Sequence, residues 1–433
     1  MRFDQKHVRL FLIALIVVLI AIILLNLAKP VRYFLAIVSF FIVFTISFVF
    51  ITKLIDKYDY IVRSSGKNYN YRISFVVPVY NEGENIKKCL DSLMNIDYPK
   101  DRFEVIVVDD GSTDNTGIIL EDYAKRYDNI RVIRKENGGA ASAKNVGILN
   151  SSGDIIITID SDSIIDREAP AKLASYFDEP RVGAVSGSVR VLNSNTNLTK
   201  WQSIEYDIIL VYRRILEAFD SVYVTPGGLS AFRREVIMKV GLFDTNSLTE
   251  DQEIAMNLQK HGYKVLSSLD AFAYTEVPKS LSALIKQRVR WIRGGIWNRI
   301  KHQDLLDVKW GNLFIFGYLL DVLFFVPFST FFLSLILFLI DHQLWIFRLG
   351  FDIVELMVDH FMIATFIFWI ILLPWQIHMI NILRDKAGDK KVSSKEIVDF
   401  IGFMIMFGWA WFFVWPFVIY KEITQAQNRW ETR

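Results

Sequence analysis

The order of apolar and polar positions divides the chain into membrane-like and globular stretches. Apolar residues run almost unbroken over 8–28 and again over 33–51, with only Lys29, Pro30, Val31 and Arg32 between them. Each run is close to the ~20 residues a helix needs to cross a bilayer, so 1–52 is predicted to form a membrane-anchoring helical hairpin. The basic start at Arg2, Lys6 and Arg9 would suit a signal peptide, but the apolar run is longer than such a peptide's core. Apolar density falls after Thr52 and returns near Leu313. Segments near 313–340, 353–373 and 398–419 then predict about three further spans within 312–433. The first carries Asp321, and a charge inside a membrane marks a candidate polar path.

Between these runs, 53–277 reads as a globular domain. Nearly continuous β-branched runs at 73–79, 104–109, 131–134 and 154–160 predict buried strands. Helical spacing fills 84–95, 113–127 and 140–149. Alternating strand and helix implies an α/β domain with a mostly parallel sheet covered on both faces. Ligands of such sheets bind beyond the carboxyl ends of the strands. The next stretch, 278–311, has Leu281, Ile285, Val289, Ile292, Ile296 and Ile300 recurring every three or four positions, with basic residues between them. That pattern predicts an amphipathic helix lying on an anionic lipid surface.

Charge matters for where it lies. The formal net charge of +2 argues neither for nor against nucleic acid, and no nucleic-acid partner is expected. An aromatic content of 14% fits lipid contact. Arg384, Lys386, Lys390, Lys391 and Lys395 crowd one short loop, and Lys53, Lys57, Arg63 and Lys67 flank the globular domain. Basic loops stay on the cytoplasmic side. The reading is therefore a multi-pass plasma-membrane protein with a cytoplasmic domain, and five spans would leave the C-terminal tail outside. The single cysteine, Cys89, excludes an intramolecular disulfide, suits a reducing compartment, and reads as a small buried apolar residue on a helix.

Polar residues gather where the strands end. Tyr80, Asn81 and Glu82 follow the first, Asp109 and Asp110 end the second, and Asp160 and Asp162 end the fourth. Any one of these is an ordinary cap or turn residue. Three acidic turns on one sheet edge repel each other unless something cationic lies between them. Asp160 and Asp162 supply hard oxygen ligands suited to Mg2+ or Mn2+ bridging a diphosphate.

Five segments in order, FVVPVYNEGENI, VIVVDDGSTDNT, TIDSDS, LTEDQE and QRVRW, spread over 75–291, resemble the family 2 glycosyltransferases of the GT-A fold. The chain is most similar to their processive membrane synthases, those making poly-N-acetylglucosamine, hyaluronan, chitin and cellulose. The resemblance implies that Tyr80, Glu82, Asp109 and Asp110 line the nucleotide pocket and that Asp160 and Asp162 hold the metal and diphosphate. It implies that Asp251, beside Glu250, is the general base that deprotonates the acceptor hydroxyl, which requires a carboxylate within hydrogen-bond reach. Thr249, Glu250 and Asp251 also suit the positive end of a helix reaching about Gly262.

Gly227 and Gly228 would form an acceptor-side wall, since glycines let backbone approach a sugar closely. Gln287, Arg290 and Trp291 match the QxxRW signature. The Trp ring would stack on the acceptor sugar while Arg288 or Arg290 pairs with the diphosphate. One position departs from the pattern. Many processive members carry Lys after the second glycine of the donor loop, where this chain has Ala140; Lys144 stands nearby as a donor-phosphate candidate.

The implied activity is inverting, metal-dependent transfer from a nucleotide-diphosphate sugar, a UDP-N-acetylhexosamine, to a growing β-linked polysaccharide with coupled export. The alternative is single addition to a polyprenyl-linked acceptor, and a scaffold without activity is the reading from another class. An accessory subunit is compatible with either enzyme reading.

Overall fold

The computed structural model describes residues 65–218, 220–306, 377–389 and 391–393, with scattered positions from 396 to 424. The hairpin expected over 1–52 and the spans expected near 313–340 and 353–373 lie outside the described residues, as does most of 398–419. Among the described residues, no helix is long and apolar enough to cross a membrane.

The first half follows the expected alternation. Strand β1 (Ile73–Val79) leads to helix α1 (Ile86–Met94), and β2 (Phe103–Asp109) to α2 (Thr116–Arg126). Then β3 (Ile130–Arg134) leads to α3 (Ala140–Leu149) and β4 (Ile155–Thr158). These four strands pair in parallel in the order β3-β2-β1-β4. The alternation of side chains along a strand buried on both faces explains why β1 is apolar at every position but Ser74. Phe75, Val77 and Val79 face a layer containing Ile86, Leu90, Leu93 and Leu120, while Val76 faces Ile148 and Ile254 on the other side. Cys89 sits buried on α1, as expected.

The second half departs from a mostly parallel sheet. It contains β5 (Ser163–Ile165), α4 (Ala169–Ala174), β6 (Val182–Val191), α5 (Asn197–Glu217) and β7 (Ser230–Arg233). After these come α6 (Arg234–Val240), α7 (Glu250–Lys260), β8 (Lys264–Thr275) and α8 (Leu281–Lys301). The described strands form one eight-stranded sheet that continues β4-β7-β6-β8-β5. Strand β7 enters antiparallel between β4 and β6, and β5 is antiparallel to β8, while β6 and β8 run parallel. The sheet is therefore mixed. Small and polar residues, Ser186, Gly187, Ser188 and Ser230 among them, interrupt the β-branched runs that mark strands in the first half.

Candidate active site

Parallel register brings the polar turns to one edge. Val79 pairs with Asp109, and the Ile159 backbone N–H donates to Val76 at 3.2 Å, so Tyr80, Asp110 and Asp160 leave the sheet side by side. The first two turns are then tied together. The Asn81 N–H donates to Ser112 Oγ at 3.0 Å, the Thr113 N–H to Asn81 Oδ1 at 2.8 Å, and the Gly83 N–H to Thr116 Oγ1 at 2.8 Å. Asn81 takes the left-handed conformation, φ 51°, which Asn tolerates better than most residues.

Asp109 and Asp110 are both buried. Asp109 Oδ1 accepts from the Ser112 N–H at 2.8 Å. Asp110 accepts from the Gly139 and Gly138 N–H groups at 2.7 and 3.0 Å and pairs with Lys135. Asp110 thus fixes the glycine loop that opens α3.

Asp160, Asp162 and Glu82 converge across the third turn. Ser161 Oγ donates to Glu82 Oε1 at 2.9 Å, and Thr275 Oγ1 donates to Asp162 Oδ1 at 3.2 Å. The Cys89 thiol beneath them is pushed up by burial and then by Asp162, Asp160 and Glu82. Gly227 lies directly on Asp160, where a Cβ would stand 2.6 Å from Oδ2. The donor-side carboxylate and the glycine wall expected from the sequence therefore meet. Among the described residues no group of three or more His, Cys, Asp or Glu forms a complete metal cage. Two carboxylates fit Mg2+ or Mn2+ all the same, because such ions are commonly held by one or two carboxylates plus substrate phosphates.

Helix α7 opens with Glu250 and Asp251. Thr249 occupies its N-cap position but makes no side-chain cap bond. Its hydroxyl accepts from Asn298 Nδ2 of α8 at 2.9 Å instead. The Asp251 carbonyl accepts from the Thr225 N–H at 3.2 Å and hydroxyl at 2.8 Å, which ties the glycine wall to this helix.

Lys144, the donor-phosphate candidate, is engaged in the interior. It is buried, and its Nζ sits 2.9 Å from Glu250 Oε1. Burial works against its charge, but Glu250, Asp160 and Asp251 outweigh burial and hold the ammonium above its usual range. Burial would likewise raise Glu250, yet Lys144 holds it below. Asp251 is pushed up to about 6, by burial first and by the Glu250 charge second, with Lys144 and Arg290 opposing.

On α8 the expected residues divide. Arg288 Nη1 donates to Gln287 Oε1 at 2.7 Å, Arg288 pairs with Glu205 of α5, and its guanidinium stands 4.0 Å from the centre of the Trp291 ring. Arg290 reaches the Leu248 carbonyl at 3.5 Å, beside the α7 N-terminus. Arg288 is thus committed to an internal ion pair, and Arg290 is the arginine of the motif nearer that N-terminus. The basic face expected to meet lipid is likewise partly internal. Arg293 pairs with Glu422 at 2.6 Å and Lys301 with Asp244 at 2.7 Å, while Val289 and Ile296 pack on Val414 and Val418.

Sequence reasoning missed Glu205 and Arg213, both on α5. Arg213 donates to Ser186 Oγ at 2.5 Å, and burial lowers its pKa to about 10. No strand-end motif marks either residue, since both are buried charges on the inner side of a helix.

The described domain is a mixed α/β sheet with carboxylates converging at one edge, backed by a buried lysine. Residues 74–241 match the family model described as glycosyl transferase family 2, and the chain carries a domain of that family. Among curated relatives, a poly-beta-1,6-N-acetyl-D-glucosamine synthase of Staphylococcus epidermidis is 34% identical over 243 residues, covering 56% of this chain and 57% of that protein. The Staphylococcus aureus protein of the same name is 35% identical over 225 residues, covering 52% and 54%. The chain therefore spans little more than half the length of these relatives. Among solved structures, the mannosyltransferase PcManGT from Pyrobaculum calidifontis in complex with GDP-Man and Mn2+ is 24% identical. It covers 63% of this chain and 77% of that one with a TM-score of 0.49.

Proposed function

We propose that the chain is an inverting glycosyltransferase that adds N-acetylglucosamine from UDP-N-acetylglucosamine to a growing β-linked polymer at the cytoplasmic membrane face. The observation that carries this reading is the position of Asp251. It stands at the start of α7, bonded through its backbone to the loop that lies on Asp160, and Asp160 and Asp251 both act on the buried Lys144, which supports reading the two carboxylates as parts of one site. The names of the curated relatives support the sugar and the polymer.

In this mechanism Asp251 accepts the proton of the acceptor hydroxyl as that oxygen attacks the anomeric carbon. A base held near pKa 6 is ionised at neutral pH and still basic enough to take the proton. A single displacement inverts the anomeric centre, so an α-linked donor gives a β-linkage. Asp160 and Asp162 would hold Mg2+ or Mn2+, which supplies positive charge to the departing diphosphate. Arg290 adds a fixed cation beside the base. Trp291 stacks on the terminal sugar of the acceptor.

The membrane placement rests on the apolar runs. Asp389 pairs with Arg190 of β6, and Glu422 with Arg293 of α8.

The test is to incubate the full chain in detergent with UDP-, GDP- and dTDP-sugars plus Mn2+ or Mg2+ and to size the products. Long polymer from UDP-N-acetylglucosamine is the expected result. Transfer only from another donor would overturn the substrate, and a single addition would overturn the polymer in favour of a lipid-linked acceptor.

A further inference from the structure

We propose that Glu205, on α5, is a positioning residue for the acceptor: it holds Arg288 against one face of Trp291, so that a sugar can stack only on the other face. This rests on the reading of Trp291 as the acceptor platform and adds to it the residue that fixes the platform.

Glu205 is 6% exposed and Arg288 3% exposed, and the two are joined by a charge-assisted hydrogen bond. Their positions are 83 residues apart in the sequence, so the bond links two otherwise separate helices. A carboxylate buried this deeply is costly unless paired: burial pushes Glu205 up to about 7, and Arg288 opposes that shift by its charge and its hydrogen bond. The guanidinium that meets Glu205 also stands 4.0 Å from the Trp291 ring centre, within the range of a cation–π contact. Gln287 Oε1 accepts a further bond from the same guanidinium, so three residues of the 287–291 motif are set by one buried carboxylate.

Indole can stack on a sugar with either face, and which face is used decides how far the acceptor hydroxyl stands from Asp251. Arg288 occupies one face. Without Glu205 the guanidinium loses the charge-assisted bond that sets its place on the ring, and the ring gains rotational freedom. The defect should therefore appear in acceptor use and spare the donor site, where Asp110, Asp160 and Asp162 lie on other elements.

The experiment compares wild type, Glu205→Gln and Glu205→Asp in the full-length protein, using UDP-N-acetylglucosamine and short β-1,6-linked N-acetylglucosamine oligomers. In Glu205→Gln the acceptor KM should rise about tenfold, a size typical of small misplacements in an active site. Donor KM and the rate of donor hydrolysis without transfer should stay within about twofold, and products should shorten. Glu205→Asp keeps the charge and should recover part of the acceptor affinity.

An unchanged acceptor KM in Glu205→Gln would overturn the proposal. If that variant does not fold, Glu205→Leu with Arg288→Met decides, because an apolar pair of similar size commonly preserves stability. It should melt near the wild-type temperature and show the same acceptor defect, and full acceptor affinity in it would overturn the proposal. Wild type that transfers nothing to these oligomers removes the acceptor reading itself, whereas active wild type with unaffected variants removes only the role of Glu205.

Discussion

Lys144 Nζ and Glu250 Oε1 stand 2.9 Å apart in the interior, joining the helix that follows the glycine loop to the helix that opens with Glu250 and Asp251. The two residues are 106 positions apart. Glu250 stays charged because of Lys144, and its charge in turn helps raise its neighbour Asp251. A buried pair of this kind contributes little net stability, yet losing either partner leaves a lone charge in a dry interior.

Replacement of Lys144 should separate a buried strut from a phosphate ligand. Lys144→Met leaves Glu250 without its cation, at a cost of about 3–5 kcal/mol. Melting temperature and kcat should both fall. The affinity for UDP, measured by calorimetry, should change little, and a large loss of UDP affinity with an unchanged melting temperature would return Lys144 to the diphosphate.

The pH dependence of kcat/KM follows from Asp251. The base works only when deprotonated, so activity should fall as pH drops through about 6. Glu250→Gln removes the negative neighbour that raises Asp251 while Lys144 and Arg290 remain. The acid limb should then move to lower pH, whatever happens to the maximal rate. An acid limb that stays in place, or moves up, would show that another group controls it.

Much of this site can be read along the chain, and its limits have physical causes. Strands β1 and β2 are buried on both faces, so unbroken runs of Val and Ile mark them and the polar turns that follow. Strands β6 and β7 carry Ser and Gly where neighbouring elements approach closely. Gly187, for example, would place a Cβ 2.6 Å from Leu229, and such residues carry no strand signal. Lys144 lies one turn into the helix that follows the glycine loop, which makes it a phosphate candidate. Its actual partner is set by where α7 docks, which no local spacing encodes. Glu205 has the same history, because its meaning depends on a helix far along the sequence.

Asp251→Asn should abolish transfer while UDP binding persists. Losing a general base typically costs about 10²–10⁴ in rate. Asn keeps the size of the side chain and can still accept from the Gln252 N–H, which Asp251 Oδ1 accepts at 2.9 Å. Residual transfer above a tenth of wild type would refute the role of Asp251 as base.

Gly227→Ala tests the contact between the acceptor wall and the metal carboxylates. The new methyl would stand 2.6 and 2.8 Å from the two Asp160 carboxylate oxygens, so either the loop or the carboxylate must shift. The expected outcome is a raised metal concentration for half-maximal activity, with transfer lowered about tenfold or more. A variant with wild-type metal dependence would mean that Asp160 does not serve the metal.

Gly294→Ala probes the seam between α7 and α8. A Cβ on Gly294 would overlap the Thr249 side chain, which comes within 2.6 Å at Cγ2, just ahead of Glu250 and Asp251. Overpacking of this order costs about 1–3 kcal/mol, and the strain falls where the base and the acceptor platform are held together. Both melting temperature and transfer should drop. Adding Thr249→Ala removes the two outer atoms of the clash, and Asn298 Nδ2 keeps a partner in the Thr249 carbonyl at 3.0 Å. The double variant should therefore recover part of both losses, the non-additive coupling expected of residues in contact. Purely additive effects would mean that α8 does not bear on the base through this seam.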